Sequence, residues 1–165
     1  MPAQNVVITH ALRTPIGKYL GGLSSLSAAE LGIHVVKSLL AQSRLAPADF
    51  GELVFGNARQ AGGGPNVARQ ILCKSGLPQS ATAYTVNMAC GSGMKSVVLA
   101  AESVRRGDVK VAIAGGTESM SRLPFFLENF RTGYRLGHAP VVDAMYRDGF
   151  DCPMAGKPMG ATAET

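Results

Sequence analysis

The sequence is poor in the residues that mark several large classes of protein. Its 165 residues include no tryptophan, and only 6% of them are aromatic. A nucleic-acid-binding surface combines a basic stripe with aromatic platforms for the bases, whereas the basic residues behind the net charge of +5 are scattered along this chain. No apolar run approaches the roughly 20 residues of a membrane-spanning helix. We therefore expect neither a nucleic-acid partner nor a membrane partner.

Cysteine is scarce as well. The chain has Cys73, Cys90 and Cys152, an odd number of cysteines without the spacing of a metal site. A disulfide framework needs pairs, and zinc sites use closely spaced Cys and His ligands. The first residues show neither the long apolar stretch of a signal peptide nor the Arg- and Ser-rich pattern of a transit peptide. We therefore expect no disulfide, no metal and a cytoplasmic location.

What the sequence does have is a regular alternation of short apolar runs and helical stretches. With 46% apolar and 16% charged residues, the chain is long enough for one good core. The alternation predicts an α/β fold with a mainly parallel sheet and crossover helices. The predicted strands are Val6–Thr9, Leu53–Gly56, Ala83–Asn87 and Val109–Ala114, the last buried on both faces. The predicted helices are Ala28–Ser43, Asn66–Ser75 and Gly91–Arg106, the last packed inside the molecule.

The composition of the sequence changes beyond Met120. Proline and glycine recur at short intervals from Pro124 to Gly160, and Val141–Tyr146 is the one stretch predicted to be helical. Such frequent breakers are typical of a surface excursion. We therefore expect this segment to lie outside the main core.

Cys90 is the strongest candidate for a catalytic residue. It follows a strand-like run and precedes a segment that is free of proline and glycine from Met94 until Gly107, where a helix would end. At a helix N-terminus, unpaired backbone N–H groups and the helix dipole favour a thiolate and can stabilise an oxyanion. The alternative is a small buried core residue, as most free cysteines are. Position alone leaves both interpretations open.

The surrounding sequence favours the catalytic interpretation by resemblance. The segments 86–96 (VNMACGSGMKS) and 111–121 (VAIAGGTESMS) closely resemble the nucleophile region of the thiolases, the family of acetyl-CoA acetyltransferases and 3-ketoacyl-CoA thiolases. Residues 8–17 and 57–70 resemble the same family, so the likeness spans essentially the whole chain. It implies that Cys90 is the acylated nucleophile and that its own backbone N–H serves an oxyanion site.

The resemblance also implies a domain organisation and a class of substrate. Residues 1–120 match the N-terminal domain of the layered α/β/α thiolase fold, and residues 121–165 match the start of the loop domain, which covers the active site and binds coenzyme A. Phe150 and Met159 match positions that line the pantetheine channel, with plain packing as the alternative for each. Many thiolases have a histidine where this chain has Pro158. Coenzyme A and acyl-CoA are then the expected substrates, and no tightly bound cofactor is expected.

Association with a further chain is expected on the same basis. In thiolases, the loop corresponding to Gly62–Gly64 meets the neighbouring subunit, and the strand corresponding to Ala83–Asn87 pairs with its dimer mate. The family's other catalytic groups, a histidine in Gly-His-Pro and a cysteine in Cys-x-Gly, belong to its C-terminal half, beyond these residues. We therefore expect a homo-oligomer or a complementary C-terminal thiolase half, and a chain that is catalytically incomplete alone.

The remaining histidines and cysteines are weaker candidates. His138 lies in Gly-His-Ala-Pro, which matches a thiolase segment other than Gly-His-Pro. His10 and His34 suit structural or surface roles. Cys73 is predicted to pack on a helix, and Cys152 lies outside any Cys-x-Gly setting.

Three other functions stay open at this point. A cysteine hydrolase elbow needs glycine two residues before the nucleophile, and Met88 occupies that position. A ketosynthase shares the nucleophile at a helix start, but the Gly-Gly-Thr-Glu-Ser-Met block resembles thiolases more closely. A truncated thiolase paralogue would keep the surface of the fold for assembly or binding without turnover. The leading hypothesis is a thiolase-type acyltransferase that forms an acyl-thioester on Cys90.

Overall fold

The computed structural model describes residues 5–164 and places a parallel sheet at their centre. The connections between its strands alternate in direction along the sheet, so right-handed crossovers put the two connecting helices on opposite faces. The result is the predicted layered α/β/α arrangement. The strands, in the spatial order β2-β1-β3, are β1 (Phe50–Gly56), β2 (Thr82–Val86) and β3 (Val111–Gly116). The helices are α1 (Ala28–Ser43) before β1, α2 (Val67–Ser75) between β1 and β2, and α3 (Ser92–Arg106) between β2 and β3.

The face of the sheet that α1 and α2 cover carries the hydrophobic core. Leu53 and Phe55 alternate along β1 toward this face and pack with Ile71 and Leu72 of α2 and Val36 of α1. All five side chains are buried. Burial of each is worth about 1.5–3 kcal/mol, so this layer supplies the largest share of the apolar stabilisation.

Local signals set the ends of the helices. The Ser27 hydroxyl accepts the N–H of Glu30 at 3.2 Å, and the Glu30 carboxylate accepts the N–H of Ser27 at 2.8 Å, which forms a capping box before α1. Asn66 caps α2 by accepting the N–H of Arg69 at 3.1 Å, and α3 ends at Gly107, whose φ is 81°. The three helices predicted from the sequence are confirmed to within one residue.

The helix α3 has two different long faces. Its sheet side carries the small buried residues Ser92, Ser96, Ala100 and Ser103. Its outer side shows Met94, Val97 and Val98, which are 77%, 39% and 42% exposed. The prediction that this helix packs inside the molecule is confirmed for its sheet side, and no layer formed by residues 5–164 covers its outer face.

The first predicted strand, Val6–Thr9, is not a strand. Val7 and Ile8 are 74% and 76% exposed, and no strand in the described part of the chain pairs with this segment. A cavity of about 380 Å³, lined by Ile8 on one side and Ile113 of β3 on the other, lies between this segment and the sheet. The apolar run alone does not make a strand, because a strand needs partners for its N–H and C=O groups.

The burial of β3 also differs from its prediction. Only Ile113 among its residues is buried, whereas the sequence predicts cover on both faces. The reason is that β3 is an edge strand, which pairs with β1 but with no second strand among the described residues. The strands predicted at 53–56 and 83–87 are confirmed as β1 and β2, and β1 begins earlier than predicted.

Beyond β3 the chain forms short elements outside the main sheet. Residues 141–146 are not the predicted helix: Val142 and Asp143 pair with Phe126 and Phe125, so their backbone groups belong to a ladder, and helical structure begins only at Ala144. None of the helices in residues 5–164 combines the length and apolar character needed to cross a membrane. The elements are β4 (Phe125–Phe126) paired with β5 (Val142–Asp143), a short π-helix (Tyr146–Phe150), β6 (Asp151–Cys152) paired with β7 (Lys157–Pro158), and α4 (Met159–Ala163).

Candidate active site

The loops that follow the three strands meet at one edge of the sheet. Gly56 of β1 pairs with Val86 of β2 on one side and with Gly116 of β3 on the other, so the carboxyl ends of the strands lie level. In open α/β sheets this edge is where ligands bind. The loops bring together residues 57–59, 87–91 and 117–118.

Cys90 lies on a tight turn between β2 and α3. The N–H of Gly91 donates to the Met88 carbonyl at 3.0 Å, and the N–H of Ser92 donates to the Ala89 carbonyl at 3.1 Å. The buried Ser92 hydroxyl donates to the Ala89 carbonyl at 2.6 Å and accepts the Met88 N–H at 2.9 Å. Ala89 has a φ of 47°, in the left-handed region that costs a residue with a Cβ about 1–2 kcal/mol. These bonds hold a turn that leaves Cys90 exposed just before α3.

The N-terminus of α3 touches the sheet without intervening side chains. A Cβ on Gly56 would lie 2.4 Å from the carbonyl carbon of Ser92, and a Cβ on Gly116 would lie 3.2 Å from the Cα of Gly93. Glycine is therefore required sterically at Gly56 and strongly favoured at Gly116. This close approach puts the start of α3, and with it the positive end of the helix dipole, at the same edge as Cys90.

A cavity of about 280 Å³ opens beside Cys90. Cys90 and Ala89 line it together with Ala58, Arg59 and Glu118 from the other two loops. A helix N-terminus at such a site favours negative charge, either on a thiolate or on a developing oxyanion. The arrangement can therefore hold a small carbonyl group against the thiol.

The carboxylate of this cavity belongs to Glu118, a residue that the sequence analysis does not single out as a site residue. Its Oε1 accepts the Asn57 side-chain amide at 2.6 Å and the N–H of Arg59 at 3.0 Å, while Oε2 accepts the N–H of Ala58 at 3.0 Å. Burial raises the pKa of Glu118 above its ordinary value, by more than these donors and the Arg59 guanidinium lower it. Their positions could have indicated both residues as site residues, since Asn57 and Glu118 are polar and come shortly after the ends of predicted strands.

Phe150 lies next to the Cys90 cavity, whereas Met159 does not line it. The guanidinium carbon of Arg59, which lines that cavity, is 4.7 Å from the centroid of the Phe150 ring. Phe150 itself lines a neighbouring cavity of about 570 Å³, and Glu118 lines both cavities. Met159 is exposed on α4 and lines neither. The structure thus brings one of the two expected channel residues beside the site.

The other candidate residues lie elsewhere. In the described part of the chain, no histidine lines the Cys90 cavity, and His10 Nδ1 lies 3.0 Å from the hydroxyl of Thr9. Cys73 is exposed, so the prediction that it packs is wrong, because it lies on the outward side of α2. Cys152 is half-buried in β6. Among residues 5–164, no group of three His, Cys, Asp or Glu side chains is placed to hold a metal ion.

Comparison with known proteins gives one family over nearly the whole chain. The profile of the thiolase N-terminal domain matches residues 6–165. An acetyl-CoA acetyltransferase of Escherichia coli is 45% identical over 162 residues, and one of Pseudomonas aeruginosa is 44% identical over 161 residues. Each alignment covers 98% of this chain but 41% of the relative. The chain therefore spans about two fifths of the length of these curated relatives.

Solved structures share the fold. The acetyl-CoA acetyltransferase of Bacillus anthracis superposes with a TM-score of 0.93 at 34% identity, covering 98% of this chain and 41% of that one. The Acat5 thiolase from Ascaris suum, solved in complex with coenzyme A, gives a TM-score of 0.88 at 38% identity, covering 93% of this chain and 40% of that one. The backbone of the present chain follows theirs over nearly all of its described length.

Proposed function

The chain belongs to the thiolase family, and we propose that it supplies the nucleophile-bearing part of an acyl-CoA C-acyltransferase. The observation that carries the proposal is the placement of Cys90, an exposed thiol beside a cavity at the N-terminus of α3. A structural cysteine is usually buried, whereas a nucleophile has to be reachable. The names of the relatives, acetyl-CoA acetyltransferases at up to 45% identity, support chemistry on a CoA thioester.

A cysteine suits this chemistry because a thiolate both attacks carbonyl carbons and leaves again from an acyl-enzyme. In the cleavage direction, the Cys90 sulfur bonds to the ketone carbon of a 3-ketoacyl-CoA. The bond from that carbon to the α-carbon breaks, and the α-carbon takes a proton to give acetyl-CoA. The thiol of free CoA then takes the acyl group, and Cys90 leaves as the thiolate. In the reverse direction, two acetyl-CoA molecules condense to acetoacetyl-CoA and release one free CoA.

The described residues supply the nucleophile and charge stabilisation for these steps. We assign the developing oxyanion to the backbone N–H of Cys90, with support from the dipole of α3. Proton transfer needs an acid and a base beside the thiol, and no histidine of residues 5–164 lines the cavity. We therefore assign proton transfer to groups outside this sequence, corresponding to the Gly-His-Pro and Cys-x-Gly motifs of the family.

Residues 121–165 form, in this proposal, the beginning of a domain that covers the site and binds coenzyme A. The contact between Arg59 and Phe150 supports it, because it joins this segment to the loop beside Cys90. Phe150 would flank the pantetheine arm, and Met159 would do so only if α4 moved toward the cavity. The Ascaris suum thiolase was solved with coenzyme A, and we propose CoA and acyl-CoA as substrates here, without a tightly bound cofactor.

We also propose that the chain associates, either with a second copy or with a complementary C-terminal half. The apolar outer face of α3 and the outer edge of β2 support association, because both are uncovered in the described residues. Covering apolar surface is worth about 25 cal/mol per Å². A soluble monomer at high concentration in light scattering, with cooperative unfolding, would contradict this.

All three cysteines are free, which supports a reducing compartment such as the cytoplasm.

The test is direct acylation of the 165-residue chain. After incubation with acetyl-CoA and acid quenching, peptide mass spectrometry should find one acetyl group on the Cys90 peptide. The label should disappear in Cys90→Ala and persist in the matched variant Cys73→Ala. Equal acetylation of Cys73 and Cys90 would refute acyl transfer at this site. Because we assign the base to groups outside this sequence, the reaction is repeated with imidazole added as an external base; absence of any label under that condition, on a Cys90 that iodoacetamide still modifies, would favour the non-catalytic paralogue instead.

A further inference from the structure

A chain of hydrogen bonds runs from the left-handed residue beside Cys90 to Glu118. The N–H of Ala89 donates to Asn87 Oδ1 at 3.0 Å, and Asn87 Nδ2 donates to the carbonyl oxygen of Ala58 at 3.0 Å. The N–H of Ala58 donates in turn to Glu118 Oε2 at 3.0 Å. Each intermediate member therefore has a partner on both sides, and the last acceptor is a carboxylate.

Glu118 holds the far end of this chain because it is bound from several directions. Its other oxygen accepts the Asn57 amide at 2.6 Å and the N–H of Arg59 at 3.0 Å. Asn57 is only 1% exposed, and its own N–H donates to the carbonyl of Val86 at 3.0 Å. Hydrogen bonds to a charged group are stronger than those between neutral groups. The carboxylate therefore fixes the loop after β1 to the loop after β3, and the backbone N–H of Asn57 joins the same loop to the end of β2.

The turn that carries Cys90 needs such an anchor. The bonds made by the Ser92 hydroxyl stay within the turn, so they orient it only relative to α3. Ala89 has a φ of 47°, a conformation that residues with a Cβ rarely adopt. The Asn87 amide is the side-chain contact that ties this turn to the loop after β1.

We propose that Glu118 and Asn87 are positioning residues that set the orientation of Cys90 through Ala58 and Ala89. The proposal rests on the proposed function, in which Cys90 is the nucleophile. Glu118 provides the fixed point, and Asn87 transmits it to the turn. Neither side chain needs to touch the substrate for this role.

The test measures the second-order rate of alkylation of Cys90 by iodoacetamide in the full 165-residue chain. Cys73, an exposed thiol on α2, is the internal reference. Asn87→Ala removes both bonds of the amide, and because Asn87 is exposed its replacement leaves the core intact. Glu118→Gln replaces one acceptor oxygen by a nitrogen that cannot accept a hydrogen bond. We expect each variant to slow Cys90 about tenfold, since small displacements of a reacting group are costly, and to leave the Cys73 rate unchanged.

The double variant separates a shared chain from two independent effects. Because both changes interrupt the same chain, Asn87→Ala with Glu118→Gln should be no slower than Asn87→Ala alone. The matched controls Asn129→Ala and Glu102→Gln, which change the same residue types outside the cavity lining, should retain the Cys90 rate.

Three results would decide against the proposal. If both single variants give the wild-type circular dichroism spectrum and the wild-type alkylation rate at Cys90, the positioning role is overturned. If Glu118→Gln does not fold, the alkylation rate of Asn87→Ala alone decides the question. Slowing of the double variant by the product of the single effects overturns the shared chain. A wild-type Cys90 that reacts no faster than Cys73 overturns the proposed function itself, whatever the variants do.

Discussion

Replacing Gly56 by alanine tests the close approach of β1 to α3 on which the site depends. The added Cβ would lie 2.4 Å from the carbonyl carbon of Ser92, 2.6 Å from its oxygen and 2.5 Å from the nitrogen of Gly93. Ordinary contacts begin at 3.4 Å, so about 1 Å has to open. All three obstructing atoms are backbone atoms, and no side-chain rotation relieves the overlap. The start of α3 therefore has to move.

The size of the effect follows from this geometry. Adding a carbon atom to a well-packed interior typically costs about 1–3 kcal/mol, and an overlap with backbone puts Gly56→Ala at the upper end, about 3 kcal/mol. In a chain of this size, that loss lowers Tm by about 6–12 °C. Because Cys90 precedes α3 directly, the same movement displaces the thiol from the N–H groups of the helix. Alkylation of Cys90 should therefore slow relative to Cys73.

Thermal unfolding followed by circular dichroism measures the first effect, and quantitative alkylation measures the second. Gly22→Ala is the matched control, because a Cβ there meets nothing within 4 Å and should change stability by at most about 1 kcal/mol. Equal Tm values for Gly56→Ala and Gly22→Ala would refute the packing argument. A destabilised Gly56→Ala with a wild-type Cys90 rate would show that the position of α3 does not control the thiol.

Three other properties of the site can be measured directly. Cys90 should react with limiting iodoacetamide before Cys73 and Cys152, because it alone joins exposure to a helix N-terminus; preferential labelling of either other thiol, seen by mass spectrometry, would contradict this. The 165-residue chain should cleave acetoacetyl-CoA on the order of thousands-fold more slowly than the full-length relatives, since no histidine of residues 5–164 lines the Cys90 cavity and we assign proton transfer to groups outside this sequence; fast turnover that Cys90→Ala abolishes would refute that assignment. The pKa of Glu118 is raised in the folded chain, so its contribution to stability is fully present below the ordinary pKa of 4.5 and is lost as the pH rises through the folded-state pKa. The free energy of unfolding of the wild type minus that of Glu118→Gln, from urea titrations, should therefore fall as the pH rises above 4.5, and a rise would refute the direction of the shift.

The helices and the setting of Cys90 could be predicted because their signals are local. Ser27 and Glu30 are three residues apart and cap α1 between them, and Gly107 ends α3 through its left-handed backbone. The apolar run of β2, the small-residue turn and α3 follow one another without interruption. The residues that set these helix ends and the turn lie close together in the sequence, so the local pattern is sufficient to predict them.

The remaining parts of the site depend on contacts between distant residues. Glu118 meets Asn57 and Ala58 across about sixty residues of chain, and no periodicity marks them as partners. Residues 6–9 have the composition of a strand, but pairing requires an edge within reach, which depends on the whole sheet. The path of residues 121–158, rich in proline and glycine, decides how far Met159 lies from Cys90, and composition does not specify that path.

The central position of β1 in the sheet also bears on the order in which the parts of the site are made. Both strands that pair with β1 follow it in the sequence. The nearer one is β2, whereas Val54 of β1 pairs with Ala114 of β3, sixty residues later. Longer loops cost more entropy to close and slow the search for the native topology. During synthesis, the turn that carries Cys90 therefore leaves the ribosome before β3 and Glu118 do. If Glu118 positions Cys90 as proposed, the alkylation rate of Cys90 during refolding should reach its native value only after β3 has paired with β1.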